Sequence, residues 1–135
     1  MTTDEARDIM FDIIQTVATA QNIQLTFTDV PVTVPSSNLV WGRLTLRHAE
    51  GGQGSLTGGL GTVRYDATGT LWLQLFAPKG DGYTAGYQAA QHFLNALRKY
   101  RGSIWFRNMR VMERGEDGAF ERVDVLTEFE YSDIQ

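Results

Sequence analysis

The stretch Leu71–Gly82 constrains the fold most, because it joins a strand to an abrupt stop. Leucine occupies every second position from 71 to 75, and large residues lie between, so both faces are largely apolar, as in a central strand. Pro78, Gly80 and Gly82 then end the strand. Asp81 is placed to accept hydrogen bonds from the first free N–H groups of a following helix. The stretch therefore predicts a corner between a sheet and a helix.

Two further segments have the periodicity of amphipathic helices. Apolar residues recur at intervals of three and four over residues 3–20 and again over residues 82–100. Thr2 and Glu5 have the spacing of a capping box at the start of the first helix. Arg98 and Lys99 complement the dipole at the end of the second helix, and Gly102 supplies its stop.

The remaining segments predict the strands of a sheet. Gln24–Val34 contains Pro31, so it fits an edge strand and a connector. Residues 39–48 and 62–77 form two strands, with Gly69 as a bulge or a point of close approach, and residues 103–131 form a hairpin. With an apolar fraction of 42%, the pattern predicts one α+β domain over residues 1–135. Its sheet is mixed but mainly antiparallel, has about four to five strands, and is flanked by two helices.

The hairpin allows a prediction of register. Asp117-Gly118 is a strong signal for a two-residue turn, which pairs residues whose numbers sum to 235. Apolar side chains then meet apolar ones and opposite charges meet, as cross-strand pairing favours. The main predicted pairs are Phe106 with Phe129, Arg107 with Glu128, Met112 with Val123, and Glu113 with Arg122.

Glycines concentrate in Ala49–Gly61, which predicts a long flexible hairpin tip. No lysine is present for a Walker motif, and the glycine spacing does not complete a dinucleotide-binding fingerprint. A long loop without a core of its own commonly orders against a partner. The candidate partner-binding residues are Gly51, Gly52, Gln53, Gly54, Ser55, Leu56, Thr57, Gly58 and Gly59.

The segment from Arg98 to Arg110 holds five cations and no acid. It resembles a nucleic-acid patch, but the acid-rich returning strand of the hairpin lies beside it, and the chain's net charge of −4 opposes electrostatic binding of nucleic acid. Pairing across strands and between subunits is the favoured interpretation. The candidate subunit-interface residues are Arg43, Arg47, Arg107, Arg110, Glu128 and Glu130.

Residues suited to catalysis or metal binding are sparse. His48 and Glu50 lie two apart on one strand face, but His92 is far along the chain, so no third ligand is evident. The chain has no cysteine and no serine nucleophile elbow. We therefore expect no enzyme activity, no metal and no cofactor. The alternative is a small α/β ligand-binding domain or enzyme that uses His48, Glu50 and Asp81.

Several short motifs, in their order and spacing over residues 38–132, resemble the tail terminator family of long-tailed bacteriophages. They are Trp41-x-Arg43, Arg47-His48-Ala49-Glu50-Gly51-Gly52, Gly69-Thr70, Gln74-x-Phe76-x-Pro78-x-Gly80-x-Gly82, Trp105-Phe106-Arg107-Asn108 and Phe129-x-Tyr131.

This resemblance implies a structural protein of the virion tail, assembled in the host cytoplasm, that forms a homo-oligomeric ring, usually a hexamer. Such a ring caps the tail tube at its head-proximal end, stops tube polymerisation and offers a surface to head-completion proteins. DNA would pass through the lumen without specific binding, and no membrane is involved. Another head-tail connector or a tail-tube subunit is the alternative within virion assembly.

Overall fold

The computed structural model describes residues 2–27, 40–49, 52–56, 63–78, 83–118 and 120–134. Within these residues the chain forms two helices and a mixed, mostly antiparallel sheet, so the predicted α+β class is confirmed. The helices are α1 (Thr3–Ala20) and α2 (Thr84–Lys99). The strands are β1 (Gln24–Phe27), β2 (Trp41–His48), β3 (Gly52–Leu56), β4 (Val63–Pro78), β5 (Trp105–Asp117) and β6 (Phe120–Ile134).

The sheet is built on β4, the longest strand. Five strands lie side by side in the order β1-β2-β4-β6-β5, and the short β3 pairs with the first part of β4. β1 runs parallel to β2, and every other pairing is antiparallel. β1 occupies an edge, as the proline-rich sequence after it predicts.

Helix α1 begins where its sequence predicts. The Thr2 side chain accepts a hydrogen bond from the Glu5 backbone N–H at 3.2 Å, so Thr2 is the N-cap. Its buried residues fall four apart at Ala6, Met10, Ile14 and Ala18, and this stripe enters the core.

Both helices pack on one face of the sheet. Gly86 of α2 lies against Val123 and Ala77, so closely that a Cβ at position 86 would stand 2.8 Å from a Val123 methyl group. The core between the helices and the sheet includes Phe93 of α2 and the buried leucines 71, 73 and 75 of β4. None of the described helices is long and apolar enough to span a bilayer.

The start of α2 differs from the prediction. The helix follows Tyr83, a residue with φ of 70° and no side-chain cap. The Tyr83 N–H instead donates to the carboxylate of Glu121 on β6 at 3.0 Å. Asp81, the predicted cap, lies outside the described residues.

The predicted hairpin register is right at one end and wrong at the other. Phe106 pairs with Phe129, and Arg107 pairs with Glu128, as expected. Nearer the turn, however, Met112 pairs with Asp124 and Glu113 with Val123.

Two irregularities explain this correction. Asp117 pairs with Phe120, which places the turn one residue later than predicted. Bulges between Arg107 and Arg110 and between Glu113 and Gly115 then shift the register back. Asn108 and Gly115 adopt positive φ, 54° and 83°, at these two bulges.

Part of the glycine-rich segment is a strand. Residues 52–56, which we expected in a flexible hairpin tip, pair with β4 as β3, with an irregularity between Gln53 and Ser55. β3 continues the line of β2 along β4, since the Ala49 N–H donates to the Thr68 carbonyl at 2.7 Å just before it. Residues 50–51 and 57–62 lie outside the described residues, as do 28–39.

Candidate functional site: the open face of the sheet

The candidate site is the sheet face opposite the helices, which we call the open face. It carries the even-numbered residues of β4 and their partners on neighbouring strands, because alternate residues of a strand point to opposite faces. Among the described elements, no helix or strand packs on it. On this face Arg47, Arg107 and Arg110 are exposed, whereas Trp41, Gln74 and Phe76 are buried.

The backbone register brings all six predicted interface residues onto the open face. Arg43 pairs with Gln74, and Arg47 and Glu128 both pair with Thr70. Arg107 pairs with Glu128 and Arg110 with Leu126, while Glu130 pairs with Thr68. Strand pairing brings these residues onto one face although they are far apart in the sequence. Arg43 and Glu130, for example, are separated by 87 positions.

The acidic and basic members are unequally paired. Arg107 forms an ion pair with Glu130, and the Asn108 amide donates to Glu128. Arg43, Arg47 and Arg110 make no ion pair with any residue that the structure describes. The open face thus offers three guanidinium groups to an acidic partner.

A buried carboxylate lies at the centre of the same face. Asp124 is 0% exposed and accepts four hydrogen bonds. Trp72 Nε1 donates at 2.9 Å, Arg114 Nε at 3.0 Å, and Arg122 donates through Nε at 2.9 Å and through Nη2 at 3.1 Å. A carboxylate and two guanidinium groups therefore hold β4, β5 and β6 together from the open side.

Sequence reasoning missed this cluster. The signal available was an acid between two valines of β6, with an arginine two residues earlier on the same face. Strand alternation alone would have placed Asp124 on a solvated face. The bulge before Gly115 shifts the register so that Arg114 reaches the Asp124 carboxylate.

Aromatic rings close one end of the open face. Trp41 stacks on Phe76 with ring centroids 4.1 Å apart and planes 10° apart, and Phe120 meets both rings edge-on. Trp41 is only 3% exposed, although it shares its strand face with Arg43. These ring contacts stabilise the packing of β2 against β4 and β6 at the end of the β2–β4 pairing.

His48 lies on the other face, toward the core. Its Nε2 is 2.8 Å from the Tyr131 hydroxyl, and its ring packs edge-on against Phe129. Burial lowers the pKa of His48 from its ordinary value of 6.5. Glu50 and Asp81 lie outside the described residues, and within those described no three His, Asp or Glu residues are grouped to hold a metal ion. The contacts of His48 are therefore those of a local packing residue.

The family-like motifs meet in space at this point. Gly69 pairs with His48 on one side and Phe129 on the other, and Phe129 pairs in turn with Phe106. A Cβ at Gly69 would lie 2.2 Å from the Arg47 carbonyl oxygen and 2.4 Å from the Phe129 ring. One residue from each of four motifs, at positions 48, 69, 106 and 129, thus lies in a single row across four strands.

Of the nine candidate loop residues, Gly52, Gln53, Gly54, Ser55 and Leu56 lie on β3. Gly51, Thr57, Gly58 and Gly59 lie outside the described residues. β3 pairs with β4 beyond the end of β2, at the end of the sheet away from the aromatic cluster.

No family model matches the sequence, and no curated protein matches it. Solved structures do match: one of them aligns with 100% of this chain over 96% of its own length, with a TM-score of 0.61 and 15% sequence identity. The name of that protein states no function. At this identity the similarity shows the fold alone.

Proposed function

We propose that this chain is a structural protein of virion assembly, a phage tail terminator. Copies of the chain form a ring, of six subunits as is usual in the family it resembles. The ring caps the tail tube, stops its polymerisation and offers a surface to head-completion proteins. The proposal places the protein at the head-proximal end of the tail and assigns it no catalysis and no cofactor.

The observation that carries the proposal is the charged open face. Six residues chosen from sequence as interface candidates lie together on the one sheet face that no described helix covers. Such a face fits protein–protein contact: exposed charges set the partner and the register, and a buried centre keeps the sheet rigid.

The row of motif residues supports the resemblance on physical grounds. Gly69 is required where a ring and a carbonyl oxygen leave no room for a side chain. His48, Phe129 and Tyr131 pack beside it. These residues therefore form one packing arrangement, which joins β2, β4 and β6.

The candidate loop Gly51–Gly59 is proposed to contact the tail tube. Its described part projects along β4 past the end of β2, so it is available to a partner placed beyond that end of the sheet. DNA would pass through the ring without specific binding, consistent with a net charge of −4.

The test adds the protein to polymerising tail-tube protein and compares wild type with the variant Arg43→Glu/Arg110→Glu. The reversal places repulsive charge on the open face, so loss of tube capping is expected while the circular-dichroism melt stays close to wild type. Lys99→Glu, an exposed charge reversal on the helix side, is the matched control and should cap normally.

Three outcomes contradict the proposal in different ways. If the Arg43→Glu/Arg110→Glu variant caps tubes as well as the wild type does, the open face takes no part in capping. Failure of the wild type to cap removes the terminator function. Growth of long tubes from this protein alone identifies it as a tail-tube subunit.

A further inference from the structure

A cleft lies at the β5 edge of the sheet, between the end of α2 and the start of β5. Its volume is about 450 Å³. Arg98 and Arg101 bring positive charge to it, and Tyr100, Phe106, Met109 and Trp105 supply apolar surface. It is therefore both cationic and aromatic, which suits an acidic segment that also carries apolar side chains.

Trp105 is the unusual member of this cleft. Its side chain is 60% exposed, the largest exposure of any large hydrophobic residue in the described chain. It starts β5, which is the last strand in the order of the described sheet. Tryptophan is enriched among the residues that contribute most to protein–protein binding.

The charges of the cleft form no ion pair within the part of the chain that the structure describes. Arg101 donates to the backbone carbonyls of Arg98 at 2.6 Å and Tyr100 at 3.0 Å, which fixes its position without pairing its charge. Neither Arg98 nor Arg101 forms an ion pair with a residue that the structure describes.

The same chain carries a complementary surface on α1. Asp4, Glu5, Asp8 and Asp12 are exposed over its first three turns, and Arg7, ion-paired with Asp4 and Asp8, is the one cation among them. The partly buried apolar residues Ile9 and Phe11 belong to the same three turns of α1.

The two surfaces lie toward opposite edges of the sheet. α1 packs over β1 at one sheet edge, and α2 packs over β4, β6 and β5 toward the other edge. Asn22, just after α1, lines one small cleft together with Ala85 and Ala89, so the end of α1 lies beside the first half of α2. A head-to-tail ring contact joins two different surfaces of the same chain, as the cleft and the first turns of α1 are.

We infer that the cleft binds the acidic first turns of α1 from a second copy of this chain. Arg98 and Arg101 face the α1 carboxylates, and Trp105 is buried by the neighbour. The inference rests on the proposed function for its biological sense, because it names a contact between ring subunits in addition to the open face. The contact itself is a property of the isolated protein.

The test measures self-association by sedimentation over a range of concentrations. Arg98→Glu and Trp105→Ala should each weaken association about tenfold or more, since one reverses a central charge and the other removes an anchor. Lys99→Glu makes the same charge change one residue away, outside the cleft, and should leave association within about twofold. Higher salt should weaken the wild-type association.

A charge exchange makes the test specific. Asp4→Lys/Asp8→Lys should weaken association as Arg98→Glu does, and the triple variant Asp4→Lys/Asp8→Lys/Arg98→Glu should recover part of it. Recovery is not expected if either variant acts only by disturbing the fold, and melting curves of each variant check this directly.

Several results would overturn the inference. They are a wild-type protein that stays monomeric at the highest concentration, association of Arg98→Glu and Trp105→Ala at wild-type strength, and a triple variant weaker than either parent. Failure of the proposed function is separate: a protein that associates through the cleft but leaves tube growth unchanged overturns the terminator function and keeps the contact.

Discussion

The buried carboxylate of Asp124 gives the sharpest prediction of stability. The change is Asp124→Asn, which keeps the side-chain volume and one oxygen but removes the negative charge and presents an amide N–H₂ to groups that are all donors. Four hydrogen bonds end on this carboxylate, two of them from Arg122. The asparagine cannot accept them all, and two guanidinium charges lose their counter-ion.

The magnitude follows from burial. Breaking a fully buried ion pair by removing one partner costs about 3–5 kcal/mol. The side chain of Arg114 is 37% exposed and that of Arg122 is 24% exposed, so water can hydrate both guanidinium groups after the carboxylate is removed. We therefore expect a loss of about 2 kcal/mol from the free energy of unfolding, after this discount for solvent screening. For a chain of this length the melting temperature should fall by about 6–10 °C.

The assay is urea unfolding followed by tryptophan fluorescence and circular dichroism, with Glu130→Gln as the control. Glu130 pairs with Arg107 on the same face, but the Arg107 side chain is 56% exposed. Loss of that exposed pair should change the free energy of unfolding by about 0–1 kcal/mol. If Asp124→Asn and Glu130→Gln lowered the free energy of unfolding equally, burial would not explain the contribution of Asp124 to stability.

Three further changes test other parts of the structure. Gly69→Ala should destabilise the fold by about 1–3 kcal/mol in urea unfolding, because its Cβ would overlap the Arg47 carbonyl and the Phe129 ring; an unchanged midpoint would contradict the close packing. Gly115→Ala has free space around its Cβ but φ of 83°, so it should cost about 1–2 kcal/mol through backbone strain alone, and a thermal melt measures this loss. Burial lowers the pKa of His48 below 6.5, so the unfolded chain binds a proton that the folded chain does not, and stability present above pH 6.5 declines as the pH falls through the folded pKa. Melts of His48→Gln should lack this component of the pH dependence, and an identical pH profile would contradict it.

Sequence patterns predicted the elements governed by local physics. The Thr2 cap and the apolar stripe of α1 follow from contacts within a few residues, so α1 begins and ends as predicted. The pairing of Phe106 with Phe129 was also correct, because apolar alternation at that end of the hairpin fixes the register. Gly69 proved to be a point of close approach.

Features that depend on contacts between distant residues could not be predicted from the sequence. The two bulges at Asn108 and Gly115 depend on backbone conformations that composition does not specify, so the register near the turn was wrong. Trp41 shares a strand face with Arg43, yet it is buried and packs against Phe76 and Phe120. The Asp124 cluster required three strands to be placed before its partners could be known.

The shared open face of the six charged candidates shows the same limit. Strand alternation predicted that Arg43 and Arg47 share a face, and hairpin pairing predicted that Arg107 lies beside Glu128. That these groups lie on one side of one sheet depends on β4 between them, and only the full strand order establishes it.

The terminator function is tested most directly by the lengths of tail tubes grown with and without this protein, measured by electron microscopy. A capping ring predicts that tubes stop growing when the protein is added, with the protein located at one tube end. Tubes that continue to lengthen at the same rate, with no protein bound at either end, would contradict the account.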